Sequence, residues 1–441
     1  MKLKIGLLVC LVPLVVNMAM AEDQHLSAVV KSVNDFTLDF YLTTVAKSDP
    51  GKNVLVSPLS ASLATALVHA GANGITAQEI ETGLHFPRDK TTLDNGFKAL
   101  HAALANTPNV TLDIANRVFI EKSSTIKPDY KQRVTQIHNS EIQQADFKNN
   151  FEKERANING WVSQKTHDKI NDLLPAGILD SLTRLVLVNA VYFYGKWKEQ
   201  FDKAQTYEED FYITKDKTVQ VPMMHQTKNL RYADIPELDA KAVELCYVNE
   251  NVCLQIILPN AKDGLQGLHE KLKNKTFDLS KIEFYRTKVQ LTMPKFKIEQ
   301  TIDLKQVYKE MNINTMFGQG ADLKGMIEGD EGEALYVSDA IQKTFMDVNE
   351  EGTEAAAATA CVSRRKRCLE DLPVELYVDH PFLFRLLNLT TVIFVGAHYE
   401  PTTESSEDYA DALDDNEDPH FSDTPKPDDT VHPHKPSHCE L

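Results

Sequence analysis

Residues 349–368 read NEEGTEAAAATACVSRRKRC, a run of small residues directly followed by four consecutive basic ones. Arg364, Arg365, Lys366 and Arg367 offer dense positive charge to a protease with acidic subsites, because guanidinium groups bind carboxylates bidentately through charge-assisted hydrogen bonds. Upstream, Thr353, Ala355, Ala357 and Thr359 share one face of an extended strand while Glu354 points the other way. Such a segment can enter a sheet without burying a charge. Gly352 reads as a hinge, free of the restrictions a Cβ imposes. Taken alone, Ala355, Ala356, Ala357 and Ala358 favour a short helix started by Thr353 and Glu354, since alanine has the highest helix propensity. A segment with both preferences suits a switch that lives outside a sheet and later joins it.

No other pattern selects a chemistry. The sequence has no internal repeat, no Gly-rich phosphate loop, no metal-spaced Cys and His cluster and no G-x-S-x-G elbow, so no metal, cofactor or catalytic residue is expected. His432, His434 and His438 are irregularly spaced and read as solvated side chains. Cys246 and Cys253 face each other across a hairpin and are candidates to pair, with Cys439 left over.

The elements around the bait read as mixed helix and strand, an α+β class. Ser57-Pro58 is a helix start with a capping side chain and a proline in the first turn. Leu59, Leu63, Ala66 and Leu67 follow at helical spacing, and Gly71 stands near the end. Residues 185–194 form a nearly continuous apolar run suited to a strand buried on both faces. Residues 243–258 read as a hairpin turning around 249–251, and 289–298 alternate polar and apolar around Met293-Pro294. The apolar runs 382–387 and 392–395 bracket a turn at Asn388.

Length and charge bound the rest. The 441 residues fit one large domain over 22–400, since no linker-like stretch interrupts it. Lys2 and Lys4, an apolar run from Ile5 to Val16, and Ala19-Met20-Ala21 before Glu22 have the order of a cleavable signal peptide over 1–21. The apolar run is shorter than the roughly 20 residues a spanning helix needs, so no membrane span is expected. Three sequons begin at Asn109, Asn274 and Asn388 and agree with a secretory compartment, Asn388 being the weakest because it lies between two buried runs. The formal charge of −17 argues against a nucleic-acid partner. Residues 401–441 carry −10 of it, with eight Asp and four Glu against Lys426 and Lys435, and read as a disordered acidic tail.

The bait resembles the reactive-centre loop of the serpins, here about 349–373, and its tetrabasic ending resembles insect serpins directed against furin-like proprotein convertases. The segments 53–60 (NVLVSPLS), 187–193 (LVNAVYF) with 195–197 (GKW), and 379–384 (DHPFLF) are similar to serpin segments in the same order, and the likeness spans roughly Asp23 to Pro401. The resemblance implies three sheets, eight or nine helices and an exposed loop, in a monomeric inhibitor and not an enzyme. It implies a hinge over Glu350, Glu351, Gly352, Thr353, Glu354, Ala355, Ala356, Ala357, Ala358 and Thr359, and a polar sheet-opening cluster of Ser57, Ser60 and Asn189. Gln342 stands where the family usually has histidine, and could either keep that network or loosen the sheet toward loop–sheet polymers.

The family mechanism implies that a serine protease acylates itself on the scissile residue while the loop inserts as a strand and traps it. The reactive bond is placed at Arg367–Cys368 by convertase preference for basic residues at Arg364 and Arg367, whereas the common loop length counted from Gly352 ends on Lys366. Trypsin-like extracellular proteases are the alternative targets. A convertase substrate or a non-inhibitory serpin are the alternative roles. A Cys361–Cys368 disulfide would hold the cleavage products together and gate inhibition by redox state. The terminal residues 438–441 (HCEL) resemble the endoplasmic reticulum retrieval signal HDEL, so the expected location is the secretory pathway, retained by the retrieval receptor or secreted.

Overall fold

The run Leu185–Lys196 is a strand buried on both faces, and it sits in the middle of a six-stranded sheet. The structure, a computed structural model, describes residues 5–105, 107–329, 335–353 and 372–401, and for 5–23 and Thr353 the backbone alone. Across this sheet the order is Phe296–Asp303, Asp339–Val348, Leu185–Lys196, Val110–Glu121 and Glu141–Ala145, with Gly352–Thr353 paired to one end of Leu185–Lys196. Alternate residues of the central strand feed two cores. Val186, Val188, Ala190 and Tyr192 pack with Phe147, Ile158 and Val162 of helix Phe147–Lys165. Leu185, Leu187, Val191 and Phe193 face the main core, so the two-residue period of the strand divides one apolar run between two layers.

Helix Pro58–His69 starts where the sequence placed it. Ser57 caps it by accepting from the Ser60 N–H, and Pro58 occupies the first turn, where no intrahelical donor is lost. Every residue from Pro58 to Val68 is buried, because the helix is wedged in the core and packs on strands of both sheets. Gly71 follows the helix, where a Cβ would stand 2.3 Å from Met326 Cγ.

The remaining strands form a nine-stranded set held together by one long strand, Lys217–Ile235. Its first part pairs with Thr206–Thr214 and Tyr285–Pro294, and Val374–Tyr377 extends that side. Its last part pairs with Ala240–Cys246, which leads through Val252–Pro259, Phe382–Asn388 and Thr391–His398 to Val54–Val56. The set is therefore two smaller sheets sharing a strand, which with the six-stranded sheet makes three.

The expected hairpin is Ala240–Cys246 with Val252–Pro259, and Cys246 is disulfide-bonded to Cys253 in a directly opposed pair. The stretch 289–298 is divided at Lys295 between two strands in different sheets, Tyr285–Pro294 and Phe296–Asp303. Its alternation is imperfect, since Leu291, Thr292, Met293 and Pro294 are all buried in succession. The turn after Asn388 is two residues, with Leu389 at φ 54°.

Eight α-helices occur among the described residues, the first running Ile5–Lys47 through the segment read as a signal peptide. Among the described residues no helix is long and apolar enough to cross a membrane. Pro401 closes the compact unit that contains them, and the acidic tail beyond it lies outside the described residues.

Candidate functional site

Asn116, Asn189 and Gln342 occupy directly opposed positions on three neighbouring strands, so their side chains form one row on the face toward helix Pro58–His69. Gln342 Oε1 accepts from the Ser57 N–H at 2.9 Å, and Gln342 Nε2 donates to Ser57 O at 2.9 Å and to Asn189 Oδ1 at 2.6 Å. Asn189 Nδ2 donates to Ser60 Oγ and to Asn116 Oδ1. Ser57 Oγ donates to Ile393 O at 2.7 Å, and Asn116 Nδ2 to Ser60 O at 3.2 Å. Ser57, Ser60, Asn189 and Gln342 are all fully buried. A glutamine thus fills the position with every bond made through an uncharged group, and the row spans the boundary between strands Leu185–Lys196 and Asp339–Val348.

That boundary is a parallel pairing, from Asp339↔Val186 to Phe345↔Tyr192. Beyond it the chain reverses through Glu350 and Glu351, and Gly352 and Thr353 pair antiparallel with Lys196 and Gly195. An Asn349↔Gly352 bridge ties the returning chain to the other strand. The chain therefore turns back toward the seam between the two parallel strands.

Trp197 organises this reversal. Its N–H donates to Glu351 O at 2.8 Å and its indole Nε1 to Asn349 O at 2.9 Å, while Tyr247 stacks on its ring at 4.2 Å. Glu350 pairs with Lys295 at 3.1 Å and Glu351 with Lys203 at 2.7 Å, so two carboxylates that are 5 % and 7 % exposed each meet a cation. Gly352 adopts φ +135°, and a Cβ there would lie 2.1 Å from Gly195 O. Both the backbone region and the space require glycine. On the far side of the bait, Val374–Tyr377 pairs with Val289–Thr292, and Val378 N donates to Thr292 O at 2.8 Å. Residues 352–353 thus belong to the six-stranded sheet and 374–377 to the nine-stranded set.

Of the sequence-derived residues, the structure brings Ser57, Ser60, Asn189 and Gln342 together, and it sets Glu350, Glu351, Gly352 and Thr353 at the end of the seam. Glu354 to Thr359, Cys361, Arg364, Arg365, Lys366, Arg367, Cys368 and the 438–441 terminus lie outside the described residues. Asn109 and Asn274 are exposed, whereas Asn388 is half-buried and donates to Thr107 Oγ1 at 3.2 Å. Sequence reasoning missed Asn116, Trp197 as the hinge anchor, and Lys203 and Lys295. The one available signal for Asn116 was a polar residue within an otherwise β-like run, while the others are set by pairings across long separations.

This arrangement is that of the serpins. The serpin family model, described as serpin (serine protease inhibitor), matches residues 31–401. Among curated proteins the chain is 38% identical over 387 residues to alaserpin of Manduca sexta, covering 87% of this chain and 97% of that one. It is 35% identical to antichymotrypsin-2 of Bombyx mori, covering 85% and 99%. Among solved structures it is similar to Serpin48 of the insect Tenebrio molitor, described as highly specific, with a TM-score of 0.77, 32% identity and coverage of 85% and 99%. A cleaved Serpin 42Da matches with a TM-score of 0.76 and 36% identity, covering 86% and 100%. The chain belongs to the serpin family of serine protease inhibitors, with the three-sheet α+β fold of that family.

Proposed function

We propose that the chain is a suicide-substrate inhibitor whose bait Arg364, Arg365, Lys366 and Arg367 captures furin-like proprotein convertases, with Arg367–Cys368 as the reactive bond. One observation carries the insertion step: the returning chain at Gly352 already pairs antiparallel at the open end of a parallel seam. The pairs Gly352↔Lys196 and Asn349↔Gly352, extended down the seam registered by Phe345↔Tyr192, prescribe the same alignment on both edges. A strand entering in that phase sets residue 359 opposite both Asn189 and Gln342 without a slip. It replaces one slanted parallel ladder by two antiparallel ones, which is the favourable direction.

In the proposed reaction the protease serine Oγ attacks the Arg367 carbonyl carbon. An ester forms, the Arg367–Cys368 bond breaks, and Cys368 becomes a protonated amino terminus. Insertion then carries the acylated protease away before water can release it. Glu354 and the small residues after it suit entry, and Cys361 would sit opposite Leu187 and Ala340 near the end of the seam. A Cys361–Cys368 disulfide would hold the two fragments and halt entry there.

We place the chain in the secretory pathway on its leader-like start and its sequons, with Asn109 and Asn274 the preferred glycan sites because both are exposed. The HCEL terminus makes retrieval to the endoplasmic reticulum the favoured fate over secretion. The test is incubation of the mature chain with a furin-like protease, followed by a denaturing gel and sequencing of the released fragment. A detergent-stable complex with release beginning at Cys368 supports the proposal. Release beginning at Arg367, or a complex formed only with trypsin-like proteases, reassigns the target. Cleavage with no complex makes the chain a substrate.

A further inference from the structure

The Cys246–Cys253 disulfide closes the hairpin beside the hinge anchor, and Glu244 lies two residues before Cys246 on the same face of its strand. The Cys246 and Cys253 sulfurs and a Glu244 carboxylate oxygen all lie within 4.8 Å of one another. Glu244 and Cys253 are each 8 % exposed, while Cys246 is half-buried. Glu244 is held in place: Gln255 Nε2 donates to its Oε2 at 2.6 Å, and Gln255 Oε1 in turn accepts from Arg385 Nε at 2.7 Å. Its other oxygen, Oε1, stands 3.9 Å from Cys246 Sγ. A cleft of about 110 Å³ opens beside it, lined by Glu244, Cys246 and Glu250 and also by the cations Lys198, Arg231 and Arg286, and leaves room for one more ligand.

We propose that, once reduced, Cys246 and Cys253 together with Glu244 form a site for a thiophilic divalent cation such as Zn²⁺. Two equivalents of a low-molecular-weight thiol supply the two electrons and two protons that open the disulfide, and are themselves oxidised to a disulfide. The cation then displaces both thiol protons, binding two thiolate sulfurs and the Glu244 carboxylate, with water in the fourth position. A tetrahedral zinc with Zn–S near 2.3 Å holds its two sulfurs roughly 3.8 Å apart, a separation that two cysteines directly opposed across a hairpin reach by side-chain rotation alone. The Gln255–Arg385 pair would orient the carboxylate as outer hydrogen-bond partners do at metal sites. Arg231, now 3.2 Å from Glu244 Oε1, has a side chain that is 47% exposed and can swing into solvent.

The site reports to the hinge through short links. Lys198 N donates to Cys246 O at 3.0 Å, Val248 N donates to Lys196 O at 2.7 Å, and Tyr247 stacks on Trp197. Metal would therefore re-clamp a hairpin that reduction had loosened.

The test uses the full chain reduced with a phosphine, freed of reductant without oxygen, and titrated with Cd²⁺ with Zn²⁺ as competitor. The expected result is a sulfur-to-cadmium charge-transfer band that saturates at one ion per chain and disappears when Zn²⁺ is added. Cys246→Ser and Cys253→Ser should each abolish it, Glu244→Gln should weaken Cd²⁺ at least tenfold, and the Cys361→Ser, Cys368→Ser double variant should keep it. Thermal unfolding of each variant separates lost binding from lost fold. A disulfide that resists reduction in the folded chain, no band, or a band that survives Cys246→Ser would overturn the proposal.

Discussion

Gln342 Nε2 donates to Asn189 Oδ1 at 2.6 Å across the two parallel strands that an entering strand would have to part. The same nitrogen also holds Ser57 O, so one amide fastens the seam to the start of helix Pro58–His69. Sheet opening must break this bond, and its strength sets how readily the seam yields.

Replacing Gln342 by alanine removes three hydrogen bonds and leaves Ser57 and Asn189 with buried unpaired groups. The expected loss of stability is roughly 1–3 kcal/mol, with earlier appearance of polymers on a native gel after mild heating. Gln342→His should hold the seam at neutral pH and let go as the imidazole gains a proton, whereas the glutamine chain should show no such step. Polymer formation equal in all three would separate this residue from sheet opening.

Gly352→Ala places a Cβ 2.1 Å from Gly195 O in a backbone region that side chains avoid. The hinge must shift, at a cost of roughly 1–3 kcal/mol. Thermal unfolding should fall, and the number of inhibitor molecules consumed per protease trapped should rise. An unchanged stoichiometry would mean that the first step of entry does not pass through this pairing.

Arg364 separates the two target classes. Arg364→Ala should slow trapping of a furin-like protease at least tenfold and leave a trypsin-like protease within about threefold, an energy difference of roughly 0.7 kcal/mol or more. Arg367→Ala should abolish both. Association rates measured with each protease decide it, and equal losses with Arg364→Ala would point to a trypsin-like target.

Acid should destabilise the fold through histidines buried as neutral rings. Burial pushes His138 and His398 down to about 3 from the ordinary 6.5, and His101 and His269 down to about 4. His101, Arg133 and His69 add to the effect at His138. The unfolded chain binds more protons than the folded one between pH 6.5 and about 3, so these groups contribute fully above pH 6.5 and their contribution is lost as pH falls through that window. The slope is about 1.4 kcal/mol per pH unit for each group. Urea unfolding from pH 7.5 to 4.5 should show it. His398→Phe, in a cage formed by Phe211, Phe296 and Phe382, should flatten the curve.

Local chemistry was legible in the sequence wherever it decides structure within a few residues. Ser57-Pro58 read as a helix start, the apolar run at 185–194 suited a doubly buried strand, and Cys246 and Cys253 faced each other across the expected hairpin, and each of these is found. Gly352 likewise stood out in the sequence, and the structure gives it the φ of +135° that only glycine adopts freely. Residues joined across long separations were not legible. The family resemblance placed Ser57, Ser60, Asn189 and Gln342 in one cluster, but no local pattern did, and Asn116 joins that row only because three strands adopt one register. Lys295 and Lys203 meet Glu350 and Glu351 because buried carboxylates need cations, but which cations was fixed by chain packing. The sequence by itself determined the elements, since propensity and periodicity are local. Only the tertiary structure decided the parallel seam and the lock across it, because those are pairings between strands that the chain brings together from more than a hundred residues apart.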